Sequence, residues 1–378
     1  MQYSKIIYPI AALLMIFMVS SCGNDPDEIE IREDGKIHVN VGVEMENTIE
    51  MTTRAQDGYS SFGGADYNGW SMGIIAYTKN GDKDIKDQGS ATYSYSGSEG
   101  SWASDLWLGP ATYSLYAYSP SDLTADIDVT DGKKNLVLSD IAPFGTKDIL
   151  ASIATAKSGE TLEDGKHNAV ISPGSNTVRF RMNHLLSKLK IQFQLPAGKY
   201  DDLRKIEITK VTLGSDIEKS KNYNIICDYS GAMAYTFEAA AANASEKASV
   251  DFVYAGSGES ILGGKALTLS ATSPGPSLYD FDNSKGEIYV IPDVINNNNM
   301  HLKMTITYNV FTKDSDTDKY VETRHQVTAT NNSIVVYKNN GAVGTIEASK
   351  YYTLTVKIVP SYLYVLADDD QSSSIVLQ

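Results

Sequence analysis

Asp314, Asp316 and Asp318 alternate along the chain in the way that the first ligands of a calcium-binding loop do. Such a loop continues with a glycine at its sharp turn and a glutamate that binds the ion through both carboxylate oxygens. Lys319 stands in the glycine position and His325 in the glutamate position. The three aspartates therefore predict a solvated hairpin tip, and we expect neither a metal site nor a cofactor.

The other side chains that could catalyse a reaction form no recognisable constellation. The sequence has no Gly-x-Ser-x-Gly elbow, no phosphate loop ending in Gly-Lys-Ser/Thr and no His-Glu-x-x-His. The chain has 47 acidic residues, so the sequence does not exclude a pair of carboxylates like that of a glycosidase, but it points to no particular pair. We expect no enzymatic activity.

Cys22 is the first residue at which the chain offers covalent chemistry. An apolar run over residues 6–19 follows Lys5; it is short for a transmembrane helix and fits a secretory signal. The order Val-Ser-Ser-Cys over residues 19–22 resembles a bacterial lipobox, in which a diacylglycerol alkylates the thiol and the preceding peptide bond is cut. Residues 1–21 are thus predicted to be a lipoprotein signal peptide. An ordinary signal peptide with an accidental cysteine is the alternative.

Arg54 is a second position at which the sequence suggests covalent chemistry, namely hydrolysis of the peptide bond that follows it. It lies in the segment Thr52-Thr53-Arg54-Ala55, within a polar stretch that should be exposed to a protease. Cleavage would leave Ala55 as the new amino terminus. It would also separate residues 22–54, a predicted propeptide, from the remainder of the chain.

A strand is predicted between these two positions, since apolar and other residues alternate over residues 37–45. The apolar positions are Ile37, Val39, Val41, Val43 and Met45. Cleavage after Arg54 would leave this removable strand held by non-covalent contacts alone. Its departure would expose an apolar groove and unpaired backbone groups, which a strand of another copy could fill. Such a head-to-tail contact generates filaments.

The remainder of the chain consists of short alternating apolar runs separated by turn residues, which predicts an all-β fold of β-sandwiches. The turn-rich residues 172–176 suggest a division into an N-terminal sandwich, 55–176, and a C-terminal sandwich, 177–378. Cys227 lies in an apolar run and is expected to be a buried free thiol.

The C-terminal tail is a candidate donor strand, because apolar residues recur after Pro360. The candidate positions are Tyr362, Tyr364, Leu366, Ile375 and Leu377. The alternative is that residues 351–366 form the last hairpin of the C-terminal sandwich.

The order of a lipobox, an alternating strand and a Thr-Arg-Ala segment resembles the fimbrillin family of Bacteroidales, the type V pilins. Residues 109–118 and 180–189 are similar to the family as well, so that the resemblance covers most of the chain. It implies two tandem transthyretin-like β-sandwiches and export as an outer-membrane lipoprotein. It further implies cleavage by an arginine-specific protease and polymerisation by donor-strand exchange. The implied partners are other fimbrial subunits and a host protein or glycan.

A surface glycan-binding lipoprotein is the alternative function. Trp70, Trp102 and Trp107 fall within one stretch of the first sandwich, and aromatic faces bind sugars, although tryptophans in sandwiches are more often core residues. A glycan binder would need no cleavage at Arg54. The net charge of −15 argues against a nucleic-acid partner, whose phosphates attract basic surfaces.

Overall fold

The computed structural model gives the architecture of most of the chain. It describes residues 29–46, 59–61, 67–97, 100–130, 132–145, 147–155, 168–195, 204–215, 222–230, 233–239, 249–253, 267–270, 277–280, 287–292, 302–334, 336–337, 348–357 and 375–377. Every element named within these ranges is a β-strand, and the predicted all-β class is confirmed. The prediction of two tandem domains stays a prediction.

A nine-stranded sheet dominates the first half. Its members are β2 (Asn40–Glu46), β3 (Tyr59–Ser61), β4 (Ser71–Asn80), β5 (Lys83–Tyr95), β6 (Gly100–Ser104), β8 (Ala111–Ser119), β12 (Leu150–Thr155), β13 (Asn168–Ile171) and β14 (Thr177–His184). They lie in the order β3-β2-β14-β12-β8-β4-β5-β6, with β13 also beside β8. Most neighbouring strands are antiparallel, whereas β2 and β14 are parallel. A short two-stranded pair, β1 (Ile37–His38) with β7 (Trp107–Leu108), completes this half.

The central strands of this sheet are buried on both faces. In β4, Ile74 belongs to one apolar core and its neighbour Ile75 to another. The core that contains Ile74 is called the first core. It consists of buried apolar residues from β1, β2, β14 and the β5–β7 region, packed against one face of β4, β8 and β12. The second core lies on the opposite face. Strands covered on two sides read as continuous apolar runs, which explains the unbroken burial of Met72 to Tyr77.

A four-stranded sheet joins the two halves of the chain. It consists of β9 (Thr124–Asp128), β10 (Asn135–Ile141), β17 (Tyr223–Asp228) and β18 (Ala234–Ala239), in the order β18-β17-β10-β9. Its apolar residues, including Leu136, Leu138 and Ile225, pack into the second core. Cys227 is buried there without a disulfide, as predicted.

Two further sheets build the second half. The seven-stranded sheet contains β11 (Phe144–Gly145), β15 (Ser187–Leu195), β21 (Ser277–Asp280), β22 (Glu287–Val290), β25 (Val336–Tyr337), β26 (Tyr351–Lys357) and β27 (Ile375–Leu377). The five-stranded sheet contains β16 (Arg204–Ser215), β19 (Ser249–Val253), β20 (Leu267–Ser270), β23 (Leu302–Lys313) and β24 (Tyr320–Ile334).

The change from one half to the other falls at Leu185 and Leu186. The domain boundary expected at residue 176 stays a prediction. The strand that follows it, β14, lies in the nine-stranded sheet between β12 and β2. The turn signal in residues 172–176 is real, since Ser172 and Ser175 form an isolated bridge there. It connects two strands that lie in the same sheet.

Candidate functional site

The closing segment, residues 37–46, connects the two ends of the nine-stranded sheet. Its first part, β1, pairs with β7, which follows the edge strand β6, and the N–H of Val39 donates to the carbonyl of Leu106 at 3.0 Å. Its second part, β2, pairs in parallel with β14, from Asn40 opposite Thr177 onwards. Without the closing segment, the backbone groups of β14 and of residues 106–108 that face it would have no strand partner.

The apolar side chains of the closing segment fill the first core. Ile37 and Val39 are 0% exposed and Val43 is 8% exposed. Val41 is half-buried against the same core, and Met45 is placed by its backbone alone. Three buried aliphatic side chains correspond to a gross burial of roughly 4–9 kcal/mol, before the entropy of ordering the segment is subtracted. The segment is thus a structural part of the core.

A kink at Val39 lets the segment change partner strands, and Asn176 supports it. The side-chain amide of Asn176 donates to the carbonyl of His38 at 3.0 Å, and its backbone carbonyl accepts from the N–H of Asn40 at 2.9 Å. Asn176 is itself 8% exposed, so the polar groups of this buried residue have hydrogen-bond partners. Strand pairing is therefore interrupted for one residue without an unpaired polar group at His38.

Residues at the start of the closing segment and just before it pack on Trp107. The guanidinium of Arg32 lies 4.0 Å from the ring centroid of Trp107, and the His38 ring lies 4.9 Å from it. The Nε2–H of His38 also donates to the carbonyl of Ser104 at 2.8 Å. Lys36 forms a partly exposed ion pair with Asp87 at 3.8 Å. The start of the segment is thus attached to the sheet through side chains as well as backbone.

The second half contains a parallel strand pairing like the one in the first half. There, β26 pairs in parallel with β15, as β2 does with β14 in the first half. β27 follows, pairing antiparallel with β26 and parallel with β25. Of the candidate donor residues, Ile375 and Leu377 therefore lie in a strand of their own subunit. Tyr362, Tyr364 and Leu366 lie outside the described residues.

The predicted processing positions Cys22, Arg54 and Ala55 also lie outside the described residues. The nearest described positions are Ile29 before the closing segment, and Glu46 and Tyr59 on either side of Arg54. Lipidation and cleavage stay predictions.

The tryptophans differ in their surroundings. Trp70 and Trp102 form an edge-to-face pair with centroids 5.5 Å apart, and Tyr93 lies 5.4 Å from Trp102. Trp70 and Trp102 pack partly against the first core. Trp107 is covered by Arg32 and His38, so it is not an open platform for a sugar while the closing segment is in place.

His184 and the aspartate-rich hairpin take structural roles. His184 is buried, its Nδ1 contacts the Asp148 carboxylate, and its backbone carbonyl accepts from the Ser349 hydroxyl, which connects the two halves. In the β23–β24 turn the Asp314 carboxylate accepts from the N–H groups of residues 316 and 317, each at 2.9 Å, and these bonds lower the pKa of Asp314. The hairpin tip predicted for these aspartates is confirmed.

Neither a metal site nor a membrane-spanning helix is found among the residues that the structure describes. Across the described ranges, no three histidine, cysteine, aspartate or glutamate side chains come together in a way that could hold a metal ion. None of the described residues forms a helix of the length and apolar character that crossing a membrane requires.

Comparison with known proteins finds similar structures at low sequence identity. No family model matches the chain, and no curated protein matches it significantly. A fimbrial protein from Bacteroides vulgatus is 16% identical over 90% of this chain and 98% of its own, with a TM-score of 0.45. A candidate cell adhesion protein from Bacteroides uniformis is 13% identical over 87% and 95%, with a TM-score of 0.40. Another from Bacteroides ovatus is 14% identical over 85% and 92%, with a TM-score of 0.38. The chain is thus similar to fimbrial and candidate adhesion proteins of Bacteroidales, and its place in the fimbrillin family stays a prediction.

Proposed function

We propose that the chain is a subunit of surface fimbriae, either structural or accessory, that supports adhesion. It is exported as an outer-membrane lipoprotein attached at Cys22, cleaved after Arg54 by an arginine-specific protease, and polymerised by donor-strand exchange. The role is structural and requires no catalytic group. The names of the similar structures state a fimbrial or adhesive role for those proteins, and the argument for this chain rests on its own closing segment.

The observation that carries the proposal is the position of residues 37–46. They complete the first core with Ile37, Val39 and Val43 and supply strand partners to two separate stretches of backbone. β2 ends at Glu46, eight residues before Arg54. Cleavage after Arg54 would therefore cut the covalent connection between the closing segment and the rest of the subunit. On the other side the segment leads to the predicted anchor at Cys22. Cleavage would thus leave the closing segment with the membrane and free the body of the subunit to exchange it.

A groove left by the segment would favour an apolar strand from another subunit. Its floor would be the buried apolar residues Leu106, Leu108 and Phe180, and its walls would be the unpaired backbone of β14 and of residues 106–108. We propose the C-terminal tail as the donor. Because Ile375 and Leu377 already pair with β26 and β25, donation requires that this internal pairing opens first.

Incubation of the purified full-length chain with an arginine-specific protease tests the proposal. We expect a new amino terminus at Ala55, followed by ladders of oligomers that resist mild detergent. The matched control is Arg54→Lys, which keeps the positive charge and should remain monomeric. A cleaved protein that stays monomeric at every concentration would contradict polymerisation, whereas an uncut Arg54 would contradict processing.

A surface glycan-binding lipoprotein is the second candidate, and the Trp70–Trp102 pair is the observation that favours it. Partly buried aromatic rings at the surface can stack on sugar faces. If this function is correct, a native gel that contains cell-surface polysaccharide should slow the migration of the uncleaved chain, and Trp70→Ala should abolish this effect. Under the fimbrial proposal, Trp70→Ala leaves oligomer formation unchanged.

A further inference from the structure

Five of the chain's six arginines lie among the residues that the structure describes, and they differ in how accessible their backbone is to a protease. Arg179 and Arg181 lie in β14, which pairs with β12 on one side and β2 on the other. Arg204 and Arg324 lie in strands that both pair with β23. An endoprotease binds its substrate as an extended strand, so residues already paired in a sheet are poor substrates until the sheet opens. Arg32, the other arginine that the structure describes, lies in a turn instead.

This turn holds the backbone of Arg32 in a closed conformation. The N–H of Arg32 donates to the carbonyl of Lys36 at 2.8 Å, and its carbonyl accepts from the N–H of Gly35 at 2.9 Å. An isolated bridge between Ile31 and Ile37 closes the base of the turn. Gly35 has a φ of +79°, a left-handed conformation that glycine adopts readily. The Arg32–Glu33 peptide bond is therefore folded away from the extended form that a protease needs.

The side chain of Arg32 is also engaged. Its guanidinium lies 4.0 Å from the centroid of Trp107, and a protease specific for arginine would have to withdraw it from that ring. The turn leads directly into Ile37, which is 0% exposed. Docking of the closing segment and protection of Arg32 are thus coupled. Trp107 holds the side chain of Arg32, and the buried Ile37 holds the end of the turn.

We propose that the Arg32–Glu33 bond is a second processing site for the same class of protease, protected while the closing segment is docked and cleavable once it has left. This inference rests on the proposed cleavage after Arg54. Hydrolysis adds one water molecule: its hydroxyl goes to the carbonyl carbon of Arg32, giving a carboxylate, and a proton goes to the nitrogen of Glu33, giving an amino group. The bond between these two residues is the one that breaks.

The second cut favours completion of strand exchange. Until it happens, the released strand stays attached to the membrane through Cys22 and can rebind to a subunit that is still at the cell surface. After it, the fragment 33–54 diffuses away. Protection in the docked state is equally important, since cleavage after Arg32 before cleavage after Arg54 would detach from the membrane a subunit whose groove is still filled by its own strand.

The protection can be measured separately in the full chain carrying Arg54→Lys. The protease must be one that does not cut after lysine, and mass spectrometry follows the new amino terminus at Glu33. Gly35→Val should raise the cleavage rate about tenfold or more, because a β-branched residue opposes a positive φ. A Cβ at Gly35 meets nothing within 4 Å, so the substitution acts on the turn alone. Gly35→Asn, which tolerates this conformation, is the matched control and should stay within about twofold. Equal and rapid cleavage in all three proteins would overturn the proposal.

The order of events is then followed in the chain with Arg54 intact. We expect cleavage after Arg54 first, with the fragment 33–54 appearing only as oligomers form. If both bonds are cut at the same rate, the ordered processing is overturned while polymerisation is untouched. If Arg54 is not cut, the proposed function fails, whereas the Arg54→Lys series still decides whether the turn protects Arg32.

Discussion

The side-chain amide of Asn176 donates to the backbone carbonyl of His38 at 3.0 Å across 138 residues of chain. It does so at the kink where the closing segment leaves β7 and joins β14. One polar side chain therefore ties together the two backbone connections that close the first core. The hydrogen bond is partly buried, so its loss leaves a carbonyl without a protein partner and costs more than the loss of a fully exposed bond would.

We predict that Asn176→Ala weakens retention of the closing segment. Loss of the amide should lower the free energy of unfolding by about 1–3 kcal/mol, because the partly buried carbonyl of His38 loses its donor and Asn176 is itself only 8% exposed. Chemical denaturation of the uncleaved chain measures this change. Asn80→Ala, at an exposed strand end, is the control and should shift stability by less than about 0.5 kcal/mol. Equal effects of the two substitutions would contradict the role of Asn176.

The apolar contacts of the closing segment give a second prediction. Ile37→Ala should lower the free energy of unfolding by about 2–5 kcal/mol, since Ile37 is 0% exposed and its removal leaves a cavity. Val170→Ala is the control, because Val170 is 57% exposed in the neighbouring β13. After cleavage at Arg54, Ile37→Ala should also release the segment faster. A stability loss no larger than that of the control would show that the segment is not part of the core.

Trp107 offers an optical signal of strand departure. The chain contains three tryptophans, so the double variant Trp70→Phe, Trp102→Phe leaves Trp107 as the sole emitter. When Arg32 and His38 leave its ring, the indole becomes more hydrated and its emission should move to longer wavelength. We expect this shift to follow cleavage at Arg54 and to reverse as polymers form. An unchanged spectrum after cleavage would mean that the segment remains docked.

Asp228 predicts an acid-dependent connection between the two halves. Hydrogen bonds from the hydroxyl and N–H of Ser230, together with Lys133 at 3.0 Å, lower the pKa of Asp228 to about 2. Because the folded pKa lies below the unfolded value of about 3.9, the stabilisation is complete above about pH 4 and is lost as the pH falls toward 2. Urea unfolding from pH 5 to pH 2 should show a smaller loss in Asp228→Asn than in the wild type. Asp82→Asn, in the exposed turn after β4, should retain the wild-type loss.

The sequence could predict the strand character of the closing segment, because its signal is local. Ile37, Val39 and Val43 alternate in the chain, and their burial follows this period of two. The kink at Val39 could not be predicted, since it arises from partners more than 60 residues away. Asn176 looked like part of a turn, and its bond to His38 depends on the fold as a whole.

The joining of the two halves escaped prediction for the same reason. The pairing of β10 with β17 connects Leu136 with Cys227 across 91 residues, and no local pattern records it. The turn signal in residues 172–176 marked a change of direction but not a change of sheet. The hairpin at Asp314 was predictable, because the missing glycine at Lys319 is visible in the sequence itself.

A disulfide that holds the closing segment in place tests most directly whether its departure drives assembly. Gly42 and Arg179 are opposite one another in the pairing of β2 with β14, and a Cβ at Gly42 would lie 3.5 Å from Cγ of Arg179. The variant Gly42→Cys, Arg179→Cys would covalently join the two strands, and the buried Cys227 is remote in the second core.

The measurement is the oligomer distribution of this variant after complete cleavage at Arg54, first oxidised and then reduced. We predict that the oxidised protein stays monomeric and that reduction starts polymerisation at the rate of the cleaved wild type. The single variants, which cannot form the bond, should polymerise in both states. Ladders of equal length from the oxidised and reduced proteins would contradict the account, because assembly would then proceed with the closing segment still in place.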